Sequence, residues 1–411
     1  MSKQTENLYR EREKRINDAV ALRKPDRVPV WNGVPGPYPA ERLGITREEQ
    51  MMDPERSFEG SYQAALHYQP DMVEVMPPLG SVLAPLGYKH LRWAGHGLGS
   101  DSGWQYMDEE TMKPEEYDEF LYDPSDFIVR KYWPRAYSRL AGLADLFPLR
   151  EAQGYFAGPS AFFAFGTPAG KEALEALGEA GAAAFATTMA LVGHGKRLAE
   201  AGFPLSWAAM AQPPFDVVGD FLRGRKGVML DMFRCPDKLE AAALKMLPMA
   251  LEAGIRSARM SGNPRVFIAI HGGVEGFMSV EQYKRFYWPT LQALLAGLAE
   301  EGLSPFVLVE GGSDSRLETM ADIPAGKICY WFDHVDMARA KEVLSGKACI
   351  AGNVPVSLLA VGTPDDVRDY CRKLMDTVGQ DGGFILGPSG QTEDVKIENV
   401  EAMMECAKEC G

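Results

Sequence analysis

Apolar residues along this chain gather in eight short runs, at 28–32, 71–76, 205–212, 266–271, 306–310, 328–334, 348–353 and 384–389. Each run closes on a polar side chain or a Gly, Pro or Asn turn. Most do not alternate apolar with polar, the pattern of strands buried on both faces of a parallel sheet. Stretches of helical periodicity lie between them. Eight strand–helix units predict an α/β protein, a single (β/α)8 TIM barrel over residues 1–411. The active site of such a barrel sits at the carboxyl ends of its strands. Those ends carry Asn32, Gln212, His271, Glu310, His334, Asn353 and Ser389.

The helix signals agree. Residues 6–24 read as a charged N-terminal helical extension ended by Pro25, and Pro29 predicts an irregular first strand. Ser279 with Gln282 forms a capping box for a helix over 279–300. Thr363-Pro364 opens another, and 396–410 is the closing helix, with Val400, Met403 and Met404 on one face. Residues 77–202 are too many for a βα loop. They are expected to form an insertion covering part of the barrel mouth, Gly- and aromatic-rich at first and ending in an Ala-rich helix over 172–202.

The chain carries a net charge of −14 and a pI of about 5.1. An acidic surface argues against nucleic acid or an anionic membrane as partner. No run of ~18 apolar residues suggests a membrane span. The first ten residues lack an apolar signal core, so the cytoplasm is expected. The six cysteines form no CxxC pair, consistent with a reducing compartment. Cys329 and Cys349 fall inside predicted strands, while Cys406 and Cys410 are expected in a frayed tail.

Several motifs fail. Gly166-Thr-Pro-Ala-Gly-Lys171 is one residue short of a phosphate loop, and Glu172 replaces the magnesium-binding Ser or Thr. The dinucleotide fingerprint and the HExxH and GxSxG motifs are absent. What survives is His271, Glu310 and His334, ending three consecutive strands about 4.8 Å apart. Two imidazoles and a carboxylate at matching heights suit a zinc ion with an open position. The alternative is three separate rim residues bonded to backbone or water. Asp314, Asp333 and Asp336 are other candidates in the same loops. His96, in the Gly-rich part of the insertion, is a candidate acid. Gln212 and Asn353 are candidates for orienting a substrate, and Asn32, Trp31, Phe215 and Ser389 for lining it.

The C-terminal half resembles the uroporphyrinogen decarboxylase superfamily. The carrying residues are Ala351-Gly-Asn-Val-Pro355, Gly362-Thr-Pro364 with Val367, Gly383-Phe-Ile-Leu-Gly-Pro388 and Glu398-Asn-Val-Glu-Ala-Met403. The resemblance implies a (β/α)8 barrel and a possible homodimer. True decarboxylases of that superfamily carry arginines just after the first strand; here that stretch reads Asn32-Gly-Val-Pro-Gly-Pro-Tyr38. The pattern is more similar to the corrinoid-dependent methyltransferases of the superfamily. Those acting on coenzyme M carry a His-x-Cys pair after the fifth strand and a Cys after the last; here these positions read Glu310, Gly312 and Ser389 or a neighbour, so no thiolate ligand remains and the resemblance points to the O-demethylase type. It implies a zinc ion held by oxygen and nitrogen, a small methoxylated aromatic donor, and a corrinoid carried by a partner protein. A metal-free decarboxylase acting on a porphyrinogen or smaller acid is the alternative.

Overall fold

The computed structural model describes residues 2–33, 35–100, 102–156, 158–392 and 394–409; Cys410 lies outside them. All eight predicted segments lie side by side. Six form a parallel sheet in chain order: Ala209–Met210, Arg265–Ile270, Ser304–Gly312, Cys329–His334, Cys349–Val354 and Phe384–Pro388. The other two complete the ring through single parallel bridges, Val30 to Leu386 and Val73 to Leu205. Between those two, the Asp71 N–H donates to the Val30 carbonyl at 2.8 Å. The thin first segment follows from Pro29, which has no N–H to give a ladder. Its carbonyl still accepts from Leu386 N–H at 2.8 Å.

Alternation along each segment separates two cores. Inward residues, including Trp31, Trp207, Phe267, Phe306, Leu308, Trp331 and Ile385, fill the barrel. Trp207 stacks on Phe267 at 4.6 Å, and Trp31 meets Trp331 edge-on at 5.1 Å. Outward residues such as Val266, Ile268, Val307 and Ile350 pack against the helices. Each large apolar side chain buried this way contributes roughly 1.5–3 kcal/mol. The expected capping boxes form at Ser279–Gln282 and Thr363–Asp366. The N-terminal helix is Lys3–Val20 and the closing helix Ile397–Glu409. Cys406 is not frayed: it is buried, its thiol against the Arg368 carbonyl at 3.7 Å.

The insertion has its own small sheet, Leu91–Ala94 with Gly97–Leu98 and Gln105–Tyr106, and several short helices. It ends in the 33-residue helix Pro168–Glu200. That helix departs from the expectation that nothing here is apolar enough to cross a membrane. An 18-residue window reaches mean hydropathy 1.3, and only 17% of it is buried. Its alanines raise the average without lengthening any large-residue run.

At the amino ends of the strands one carboxylate gathers four donors. Asp71, fully buried, accepts from Arg15 at 2.6 Å, from both terminal nitrogens of Arg27 at 2.7 and 2.8 Å, and from the Val30 N–H at 2.9 Å. It links the N-terminal helix, the approach to the first segment and the second segment, where strand pairing is thinnest. Asp71→Ala leaves two arginines short of their counter-charge and an amide unbonded. We expect a loss of about 3–5 kcal/mol in urea denaturation, with no such loss for an exposed control such as Asp365→Ala.

Glu74, also on the second segment, is 5% exposed, with Oε2 lacking a hydrogen-bond partner among the described residues. Burial pushes its carboxyl up to about 8. In the unfolded chain it titrates near 4.5, so between these values the folded state binds the extra proton. Stability therefore falls as pH rises through that window. Glu74→Gln should flatten this fall, read as a smaller drop in melting temperature from pH 5 to pH 8 than in wild type.

Candidate active site

The carboxyl end of Arg265–Ile270 delivers His271 to the barrel mouth, and the neighbouring strand delivers Glu310. The register between Ser304–Gly312 and Cys329–His334 shifts between Val309 and Gly312. Gly311, at φ +87°, takes the backbone conformation that this bulge needs. His271 Nε2 then stands 3.6 Å from Glu310 Oε2. On its other side, Nδ1 bonds Asp220 Oδ2 at 2.5 Å, which fixes the ring.

Beneath the imidazole lies Asp216, buried. Its carboxylate accepts the His271 and Gly272 N–H groups at 2.9 Å each and the Tyr287 hydroxyl at 2.5 Å. Burial, reinforced by Asp220, pushes the Asp216 carboxyl up to about 6. Burial alone would lower His271, but the bond to Asp220 and the charges of Asp216, Asp220 and Glu310 outweigh it. The imidazole is raised to about 9. Glu310 is raised by desolvation, offset by His271 and then Arg225, although half its side chain meets solvent.

His334 does not join this pair. Strand side chains alternate in direction, and Asp333, one residue earlier, takes the inward place. His334 is 77% exposed, its Nδ1 held by Asp333 Oδ2 at 2.8 Å. The same oxygen accepts the Gly311 N–H at 3.1 Å. Among the described residues no three His, Cys, Asp or Glu side chains are gathered at ion-holding spacing. The expected triad is thus two neighbours, His271 and Glu310, with Asp220 behind the imidazole. A His nitrogen and a carboxylate oxygen from adjacent strands fit a shared divalent ion, because bonds of about 2.0–2.2 Å bring both donors within reach of one centre. His334 as placed does not supply a third.

Other expected residues fall elsewhere. Asn353 uses its amide internally: Nδ2 donates to the carbonyls of Asp333 and Val335 at 3.4 and 3.3 Å, and Oδ1 accepts from Tyr370 at 3.2 Å. It ties strand ends rather than facing a ligand. Ser389 is buried, with Oγ accepting the Val356 N–H at 3.3 Å. Trp31 fills the barrel and Phe215 packs on Tyr287 at 5.3 Å, so neither lines an open wall. Asn32 is buried too. Gln212 is exposed and borders an apolar cavity of about 260 Å³ with Tyr132, Phe221 and Met246. His96 stacks on Trp93 at 4.7 Å within the insertion.

Sequence reasoning passed over Asp216 and Asp220, which hold the imidazole. Their signal was present: two carboxylates one helical turn apart, directly after the third strand. The insertion braces this same turn. Tyr106 donates to the Asp220 carbonyl, Thr111 to Leu222, and the Arg225 N–H reaches Asp108 at 2.9 Å.

A parallel barrel with a titratable cluster at the carboxyl ends of its strands has the architecture of a TIM-barrel enzyme. The uroporphyrinogen decarboxylase (URO-D) family profile matches residues 161–410, and the chain belongs to that family. A curated uroporphyrinogen decarboxylase from Chlorobaculum parvum is 25% identical over 138 residues. The match spans 32% of this chain and 38% of that protein. Among solved structures, a methyltransferase from Methanosarcina mazei superposes with TM-score 0.66 at 16% identity, over 97% of this chain and 98% of its own. That likeness shows the shared fold.

The ion pair sets a pH test. A base raised from 6.5 to about 9 contributes stability below its unfolded value and loses it as pH rises through the folded one. Histidine-labelled NMR of metal-free protein should find His271 protonated at pH 7.5, and Asp220→Asn should lower its midpoint by a unit or more, on the order of the shift a lost carboxylate partner produces.

Proposed function

We propose that this chain is a methyltransferase of the corrinoid-dependent kind. It takes the methyl group of a small methoxylated, aromatic compound and passes it to the cobalt of a separate corrinoid protein. The observation that carries this reading is the sign of charge at the mouth. Asp216, Asp220 and Glu310 surround one imidazole, Asp333 adds a further negative charge beside Glu310, and Arg225, 3.8 Å from Asp220, is the nearby guanidinium. The stretch 32–38 contributes no arginine. Such a mouth attracts a cation and repels a polycarboxylate substrate.

A zinc ion would be held by His271 Nε2 and the Glu310 carboxylate, with Asp220 orienting the imidazole. When bound, it supplies a Lewis acid for the charge that develops on the ether oxygen. The oxygen and nitrogen donors suit a hard substrate atom better than a thiol. The chain's own contribution is positional. Asp220 and Asp216 hold the His271 ring and backbone, and the insertion fixes the turn that carries both. In the overall reaction the methyl C–O bond breaks, a methyl–cobalt bond forms on the partner, and the aryl oxide leaves to take a proton. A metal-free carboxy-lyase is the second reading, favoured by the identity of the curated relative.

The test is metal analysis with a methyl-transfer assay, using a corrinoid protein and a panel of aryl methyl ethers and following the cobalt spectrum. Glu310→Ala and His271→Ala should lose bound zinc and at least about 100-fold in rate. His334→Ala should stay within about threefold, as for a surface change. Full activity of metal-free protein, or release of carbon dioxide from an acid substrate, would favour the lyase.

A further inference from the structure

Another cavity, of about 230 Å³, opens at the carboxyl ends of the eighth, first and second segments, on a different arc of the rim that carries His271 and Glu310. Pro35 and Gly36 follow the first segment, Met76-Pro77-Pro78-Leu79 closes and follows the second, and Gln391 follows the eighth. Helices Arg47–Met52 and Pro54–Tyr68 wall one side with Gln50, Met51, Phe58 and Ser61, and the insertion adds Leu91 and Trp104. The walls are fixed by close packing. A Cβ at Gly80 would stand 2.7 Å from the Met51 carbonyl oxygen, so the chain after Leu79 lies directly on the helix Arg47–Met52. Ser81 Oγ donates to the Pro78 carbonyl at 3.1 Å, and Phe58 stacks on His194 at 5.0 Å. Leu79 and Trp104, 44 and 42% exposed, stand at the entrance.

The lining says what the cavity takes. In a chain of net charge −14, none of the described lining residues is charged. The arginines of the two flanking helices are turned to other partners: Arg47 pairs with Asp394 at 2.7 Å and Arg56 with Glu49 at 3.4 Å. A carboxylate seated here would be desolvated with no cation to meet it. An aromatic ring loses nothing among methionine, proline, phenylalanine and tryptophan side chains. Ser61 is 5% exposed, and its Oγ has no hydrogen-bond partner among the described residues, a need that a ligand oxygen can meet. An apolar void of roughly 150 Å³ suffices for benzene. The volume here therefore admits one substituted ring and excludes a tetrapyrrole. We propose that this cavity seats the aromatic ring of the methyl donor, and that the donor is an uncharged methoxyarene, such as a methoxyphenol, rather than a methoxybenzoate. The role of the ligand as donor rests on the methyltransferase reading above; the ring seat and its charge preference do not.

Calorimetric titration of the full chain, without metal or corrinoid protein, tests the seat by itself. 2-Methoxyphenol should bind at least about tenfold more tightly than 4-hydroxy-3-methoxybenzoate, which adds only a carboxylate to the same ring. Methionine-methyl NMR should show Met51 and Met76 shifting during the titration, with the outlying Met260, 79% exposed, unmoved. Leu79→Arg sets a guanidinium at the entrance, where the native side chain is already half in solvent. It should invert the preference, strengthening the benzoate at least about tenfold, with melting temperature unchanged. In the methyl-transfer assay kcat/KM should follow the wild-type order of binding. Equal binding of the two compounds, shifts that spare Met51 and Met76, or a preference that Leu79→Arg leaves unchanged overturns the proposal. Methyl transfer that favours the benzoate overturns it while the methyltransferase reading stands. Ring binding as expected, with no methyl transfer from any ether, overturns the donor role together with that reading and leaves the uncharged-ring seat standing.

Discussion

The barrel is closed by a buried charge cluster where its hydrogen-bond ladder is weakest. Six neighbouring strands share a continuous parallel ladder, but the first and second segments touch their neighbours by single bridges. Asp71 supplies what the backbone there lacks. One carboxylate satisfies two arginines and a strand N–H, and its own N–H bonds the same residue's carbonyl. A buried ion cluster is costly to desolvate, so it tolerates only one geometry. That geometry sets the first two segments beside the eighth and third, and the mouth at the other end inherits its shape.

The mouth uses the same device for a different end. Asp216 and Asp220 hold His271 by backbone and ring, so the imidazole faces Glu310 in one orientation. Three carboxylates around one imidazole, with Asp333 beside Glu310, are an electrostatic conflict that a bound cation would relieve. A protein selected for stability alone has little reason to keep such an arrangement at a strand end. The insertion serves this site by clamping the turn that bears both aspartates, through Tyr106, Thr111 and Asp108. It reaches the mouth from the side of the third strand, and its long helix leaves an apolar face outward.

Much of this was legible without coordinates. Eight apolar runs became eight barrel segments, and Pro29 correctly marked the first as irregular. The capping boxes at Ser279 and Thr363 began helices as expected. His271 and Glu310 were named from strand ends alone and do meet. His334 was named by the same rule and turns away, because a strand end does not say which of its last two residues faces inward. Asn353, Ser389, Trp31 and Phe215 were chosen for chemistry that the fold spends on internal bonding and packing.

The sequence by itself determined the order and kind of elements, because burial on both faces leaves continuous apolar runs and helices leave a 3.6-residue period. It also determined the sign of the charge and the absence of arginine after the first segment. Only the tertiary structure decided which polar side chains share a site. Asp216 and Asp220 come from the turn after the third strand, His271 from the fourth and Glu310 from the fifth, with helices of their own between them. Their meeting depends on barrel register and on a bulge at Gly311, and distances set between elements leave no local pattern along the chain.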